Sequence, residues 1–205
     1  MDSESLKYIV PAAAGLIGVI IGSMFTLIVK RKETRLRIIE KVFDKRLKAH
    51  EDILDLAKQM RTTVSLHNAS DGLNVDSYPG LLHNNEYFNQ FKGNFFVVVN
   101  LNSHWLSIEL FRQLNYIQDY IENASQVLLK IDESSYPKFG VIVKQDFIDL
   151  AAELETETLK FFEKDLYNVN LKTTKGHHKW PRDYTLDRLN KTELIMQKDL
   201  ISKIK

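Results

Sequence analysis

No cysteine occurs anywhere in this 205-residue chain. Disulfides, zinc-thiolate sites and thiol nucleophiles are therefore excluded, and the absence is compatible with a reducing compartment. Glycine and proline are scarce, at eight and four residues. With so few glycines there is no Gly-rich phosphate loop, and no serine stands in a Gly-x-Ser-x-Gly elbow. Repeats and low-complexity tracts are missing as well. Of the six histidines, His177 and His178 are adjacent, so on a regular helix or strand they point apart and chelate poorly. His50-Glu51-Asp52 has no second histidine and aspartate at matching spacing. The sequence thus implies no resident metal and no cofactor.

A long run without charge is present instead. Tyr8 to Val29 are 22 consecutive uncharged residues, followed at once by Lys30-Arg31-Lys32, with Arg35 and Arg37 close behind. At ~1.5 Å per residue such a helix covers about 33 Å, enough to cross a hydrocarbon core of about 30 Å. A signal peptide would need a basic start and small residues at the far end of the run. Here Asp2 and Glu4 accompany Lys7 at the start, Ala12, Ala13 and Ala14 lie at the entrance, and the exit reads Phe25-Thr26-Leu27-Ile28-Val29. The segment is expected to be an anchor.

Charge is distributed unevenly around it. The whole chain carries a formal +1, yet residues 30–48 hold nine lysines and arginines against three acids, a net of +6. The positive-inside rule then places residues 1–7 outside and the large C-terminal part in the cytoplasm, at a plasma (inner) membrane. Each cation near an anionic leaflet is worth on the order of 1 kcal/mol, so Lys30, Arg31, Lys32, Arg35 and Arg37 are expected to contact anionic lipid. A nucleic-acid platform is the less fitting use. Three sequons, at Asn68, Asn123 and Asn190, would matter only on the outside. Within the span Ala14, Gly18, Gly22 and Thr26 recur every fourth residue, a small-residue face through which two helices can approach.

Beyond the anchor the periodicity is helical. Leu36, Ile39, Phe43, Leu47, His50, Leu54, Ala57, Met60 and Val64 step by three or four, which predicts a basic juxtamembrane helix over 30–66, coiled-coil-like or lying on a bundle. Asp71-Gly72, Tyr78-Pro79-Gly80 and Asn84-Asn85 mark a loop from Asn68 to Asn85. Over 87–100, Gly93 and the run Phe95-Phe96-Val97-Val98-Val99 would allow a strand, but Phe88, Phe91, Phe95 and Val99 stand at helical spacing and a lone strand has no partner, so a helix with these four inward is expected. A second runs from the N-cap Ser107 to about Ile131, with Leu110, Leu114, Ile117, Ile121, Ala124 and Leu128 inward. A third covers 141–167, with Phe147, Leu150, Leu154 and Phe161 inward. A last one runs from Leu186 to about Ile204, capped by Thr185. The basic loop Lys172 to Arg182, with Trp180, lies between these two. Residues 67–205 form an all-α cytoplasmic bundle in this reading, His50 being a packing histidine.

One spacing carries possible chemistry. Arg61 and His67 stand as Arg-x5-His, which resembles the Arg-x4-6-His motif of HEPN ribonucleases, an all-helical family. The resemblance implies that Arg61 and His67 would act on a ribose-phosphate bond. With eight arginines and six histidines, on the order of one such spacing arises by chance, so no catalytic residue is assigned beyond these two candidates. A second resemblance rests on Val42-Phe43-Asp44-Lys45-Arg46-Leu47-Lys48-Ala49-His50 and on Asn102-Ser103-His104-Trp105-Leu106-Ser107-Ile108-Glu109-Leu110. Both stretches look like uncharacterised bacterial proteins with one N-terminal span and a helical cytoplasmic domain, for which no activity is implied.

The function expected from these features is a single-pass, membrane-anchored helical protein-interaction module, a scaffold or regulatory subunit. Its partners would be the lipid membrane, a second copy of itself and another protein. The alternative is a membrane-tethered, defence-type effector, either a HEPN-like nuclease or a membrane-perturbing protein.

Overall fold

The computed structural model describes residues 3–67, 75–165 and 182–204, with side chains over 15–65, 77–163 and 184–204. The described chain is mostly helical, as expected, but it also contains a two-stranded antiparallel sheet. Helix α1 (Ser3–Arg61) leads into strands β1 (Thr63–His67) and β2 (Val75–Pro79). Three long helices follow, α2 (Asn85–Asn102), α3 (Ile108–Leu128) and α4 (Tyr136–Lys160), the last running into a π-helical turn at Phe161–Asp165. Short helices α5 (Arg182–Leu189), α6 (Glu193–Met196) and α7 (Lys198–Ile201) close the described chain. Two compact units result, Met1–Lys45 and Arg46–Lys205.

In the first unit, the side chains of residues 15–38 are all exposed on an uninterrupted helix. Among the described residues, no helix is long and apolar enough to cross a membrane. Residues 8–14 of the expected span, Ala14 included, lie outside those whose side chains are described.

The second unit forms around helical stripes. Phe88, Phe91, Phe95 and Val99 are buried on α2, and Leu110, Leu114, Ile117, Ile121, Ala124 and Leu128 on α3. Each large side chain so buried contributes about 1.5–3 kcal/mol. On α1, Ala49, His50, Ile53, Leu56, Ala57 and Met60 are buried, one step in phase from the expected Leu54. Capping follows the sequence: Ser107 Oγ accepts from the Leu110 amide at 3.1 Å, and Asn84 Oδ1 from the Tyr87 amide at 2.8 Å. Glu133 also reaches back to accept the Asn85 amide at 2.8 Å, so the positive end of α2 meets a carboxylate.

Helix α1 stops earlier than the expected residue 66. Thr62, Thr63 and Val64 are consecutive β-branched residues, which lose rotamer freedom against a helical turn and fit an extended strand. The Thr62 amide and hydroxyl both donate to Lys58 O, and Gly80 donates to Thr62 O at 2.8 Å, closing the neck of the hairpin. The loop expected over 68–85 therefore contains β2 and a 3₁₀ turn at Gly80–Leu82. The expected single helix from Leu186 to Ile204 is likewise broken. Asn190 and Lys191 form a turn, Thr192 becomes the N-cap of α6, and Thr185 lies buried inside α5 rather than capping it. The basic loop expected at Lys172 to Arg182 falls outside the described residues, apart from the backbone of Arg182, which opens α5.

Helix α4 is the element on which the rest of the unit is laid. It packs against β2, α3, α6 and the turns at Gly80–Leu82 and Glu133–Ser135. Its contact with β2 depends on Gly140, where an added Cβ would lie 2.9 Å from Tyr78 Cβ, closer than packed atoms tolerate. Tyr78 is fully buried there, and its hydroxyl bonds His83 Nδ1 at 2.7 Å.

Gly140→Ala is accordingly expected to cost about 1–3 kcal/mol, since neither backbone can retreat without disturbing the core. Gly93→Ala, on an exposed turn of α2 with open space at the Cβ position, should instead gain about 0.5–1 kcal/mol. Urea unfolding followed by circular dichroism would show shifts of opposite sign; a silent Gly140→Ala would contradict the close approach.

Candidate functional site

The polar residues of α4 meet five other elements. Lys144 donates to Ser77 Oγ of β2, Glu153 pairs with Arg188 of α5, and Glu155 pairs with Arg61 at 3.1 Å. Asp146 makes the most buried of these contacts. Its Oδ1 accepts from the Glu193 amide at 2.8 Å, and its Oδ2 from the Leu194 amide and the Tyr120 hydroxyl, each at 2.9 Å.

Burial explains the titration of this cluster. Desolvation raises the Asp146 carboxyl above its ordinary range, opposed by the two amides and by Tyr120. Tyr120 is pushed well above 10, first by its own desolvation and then by the negative carboxylate it faces. A carboxylate with a raised pKa in a protein often marks a general acid or base. Here both oxygens are occupied by donors and the residue is 7% exposed, so Asp146 acts as a cap that holds α6 and α3 onto α4.

Beside it lies a cleft of about 470 Å³ lined by Gln113, Ala152, Glu153, Thr156, Glu157, Tyr184 and Arg188. Its one described cation is committed. The Arg188 guanidinium stacks 3.7 Å from the Tyr116 ring centroid, pairs with Glu153 and donates to Gln113 Oε1 at 3.0 Å, while Gln113 Nε2 donates to Glu153 at 2.7 Å. This closed set of donors and acceptors ties α3, α4 and α5 together. Desolvation raises the Tyr116 hydroxyl, and the neighbouring Arg188 charge opposes that rise. A second hollow, about 580 Å³, is lined by Gln59, Thr62, Gly80, Leu81, Tyr87, Gln90, Phe91 and Asn94, and holds no charged group.

The sequence candidates are not gathered into one place. Arg61 ends α1 in its ion pair with Glu155, whereas His67 ends strand β1, so the two do not share a helix. The His67 side chain lies outside the described residues. His50 is 1% exposed, stacks on Phe161 at 3.8 Å between ring centroids and bonds Arg46 O through Nδ1 at 2.7 Å. That is a packing role. No group of three or more His, Asp or Glu able to hold a metal ion exists among the described residues.

In the first unit, Lys30, Arg31, Lys32, Arg35 and Arg37 are all exposed, directly after the exposed apolar turns. Gly18 and Gly22 have open space at their Cβ positions, and the Thr26 hydroxyl is turned back onto Gly22 O at 2.8 Å. The helix face there forms a shallow groove of about 650 Å³ lined by Gly18, Ile21, Gly22, Phe25, Thr26, Val29, Lys30 and Glu33.

Asp146→Ala strands two amides and a hydroxyl, and should cost about 2–4 kcal/mol; Tyr120→Phe, which removes one donor, about 1 kcal/mol. The pH dependence has a definite sign. Because the folded carboxyl titrates above its ordinary value of 3.8, it binds more protons folded than unfolded, so this group's contribution falls as pH rises from about that value through the raised one. Asp146→Asn should remove that slope from an acid-range stability profile, and an unchanged slope would assign it to another group.

No protein-family model, curated protein or solved structure matches the chain.

Proposed function

We propose that the protein is a single-pass membrane-anchored interaction module. The N-terminal helix lies in a plasma (inner) membrane with its start outside, and the helical unit on the cytoplasmic side binds other proteins as a scaffold or regulatory subunit. The observation that carries this reading is the helix surface over residues 15–29. Leu16, Ile17, Val19, Ile20, Ile21, Met24, Phe25, Leu27, Ile28 and Val29 are all exposed, and they cover every side of the helix. A helix apolar all round is found where lipid or protein surrounds it. Leaving each such side chain in water forgoes about 1.5–3 kcal/mol, and together these losses exceed what a marginally stable fold tolerates.

Cations begin at residue 30, where an apolar helix leaving a bilayer meets anionic headgroups. Lys30, Arg31, Lys32, Arg35 and Arg37 are the lipid-contacting residues in this reading. Self-association would use Ala14, Gly18, Gly22 and Thr26, since small side chains let backbones approach where lipid gives apolar residues no net drive to pair. The helical unit contributes the platform: its interior is mostly apolar, and among the described residues no buried polar side-chain atom lacks a hydrogen-bond partner.

The chain lacks native thiols, so single cysteines report orientation directly. Ser3→Cys should react with a membrane-impermeant maleimide in intact cells, and Ser202→Cys only after permeabilisation. Equal reaction of both in intact cells, or release of the chain by alkaline carbonate, would end this reading. Gly18→Ile with Gly22→Ile should lower self-association in membranes by about ten-fold, corresponding to ~1.4 kcal/mol; undiminished association would remove that face from the interface.

A further inference from the structure

We infer that two copies of the chain pair as a parallel, in-register coiled coil that continues without a break from the apolar segment into the charged one. This rests on the anchor reading above and specifies its partner as a second copy aligned residue for residue. The argument starts from the continuity of α1, a single helix from Ser3 to Arg61. On such a helix, positions 18, 22, 25, 29, 32, 36, 39 and 43 recur in alternating steps of four and three and therefore lie on one face. They read Gly18, Gly22, Phe25, Val29, Lys32, Leu36, Ile39 and Phe43. The groove beside the glycines and the apolar seam of the charged segment are thus one surface, and an unbroken seven-residue repeat on a helix produces a left-handed two-stranded supercoil.

Within the first unit that face has no cover over most of its length. Phe25 is 69% exposed and Leu36 65%, while Ile39 and Phe43 are half-buried. The flanking charges point to a second copy as the occupant. Arg35 lies on one flank of the seam and Glu40 on the other. Five residues apart on one helix, they point about 140° away from each other and cannot meet. In a parallel pair, however, the flank of one helix meets the opposite flank of its partner five residues further on, so Arg35 faces Glu40 of the second copy, twice by symmetry. Neither residue forms an ion pair among the described residues. Lys32, the one charge within the seam, would lie beside Glu33 of the second copy, and a single lysine at such a position fixes register at some cost in stability.

Length alone would not sustain the aqueous part. About two heptads beyond the membrane are too few to form a stable helix pair from free chains. Anchoring supplies the missing term, because two helices held at the same depth and in the same orientation meet at a high effective concentration and can align only in parallel.

Oxidative crosslinking of single-cysteine variants of the full chain in native membranes tests this. Val29→Cys, Leu36→Cys and Ile39→Cys should crosslink about five-fold more than Leu27→Cys, Thr34→Cys and Lys41→Cys on the opposite face. Adding Arg35→Glu to the Leu36→Cys chain should lower its crosslinking about three-fold, and adding Glu40→Arg as well should restore it. Crosslinks at position 29 but not at 36 or 39 would overturn the continuous coil while leaving association within the membrane intact. Equal crosslinking on both faces would overturn it as random collision. No crosslink at any position from 18 to 39 would overturn self-association itself, and loss of the chain from the membrane fraction would overturn the anchor on which both depend.

Discussion

The carboxylate of Asp146 stands among Val143, Phe147 and Leu150 on the inner face of α4, a place where an unpaired charge would cost several kcal/mol. What makes it tolerable is that every hydrogen bond it accepts comes from an element that must be brought to it, namely α6 through two backbone amides and α3 through Tyr120. The residue is thus a condition on the fold: α4 can be buried on this side only when α3 and α6 are both docked. Neighbouring positions repeat the pattern less stringently. Lys144 holds β2, Glu153 holds α5, and Glu155 holds the end of α1, so one helix fixes four other helices and a strand through side chains whose partners are far away in sequence.

The two units solve the problem of apolar surface in different ways. In the unit from Arg46 onward, stripes such as Phe88-Phe91-Phe95-Val99 turn inward and polar residues face water, the ordinary economy of a helical core. In the unit before it, apolar residues surround the helix over 16–29 and are exposed among the described residues. A surface of that kind is complete only in another medium or against another molecule. That distinction, more than any single residue, motivates the proposal of a folded unit held at a lipid boundary.

Much of this could be read from the sequence because helical burial imposes a period. The stripes of α2 and α3 were legible for that reason, and Ser107 was legible as a cap from its residue type just ahead of the α3 stripe, whereas Asn84 read only as a turn former. The hairpin was not, because Thr62 to His67 continues the three-and-four spacing of α1 through Val64, and only the run of β-branched residues at 62–64 signalled a change. The break near Asn190 was hidden for another reason, since no glycine or proline interrupts residues 186–204 to signal a stop. Asp146 was one acid among many on α4. Its phase with Val143, Phe147 and Leu150 was the signal available, and it marks an inward position that Asp149 does not share. Gly140 carried a similar signal, as a glycine in phase with Phe139 and Val143 at a helix contact. The partners of these residues, Leu194 and Tyr78, are set by tertiary packing that no local pattern encodes.

The separation between Asp146 and the amides that cap it has a consequence for how the chain is made. Glu193 lies 47 residues further on. At ~5–20 residues per second of synthesis, those donors reach the carboxylate about 2–9 s after it has left the ribosome. During that interval α1 through α4 can be complete as helices, yet the inner face of α4 must stay hydrated around Asp146. Until then this side of the nascent unit is unsealed, and a chaperone or a neighbouring chain has its window of access there.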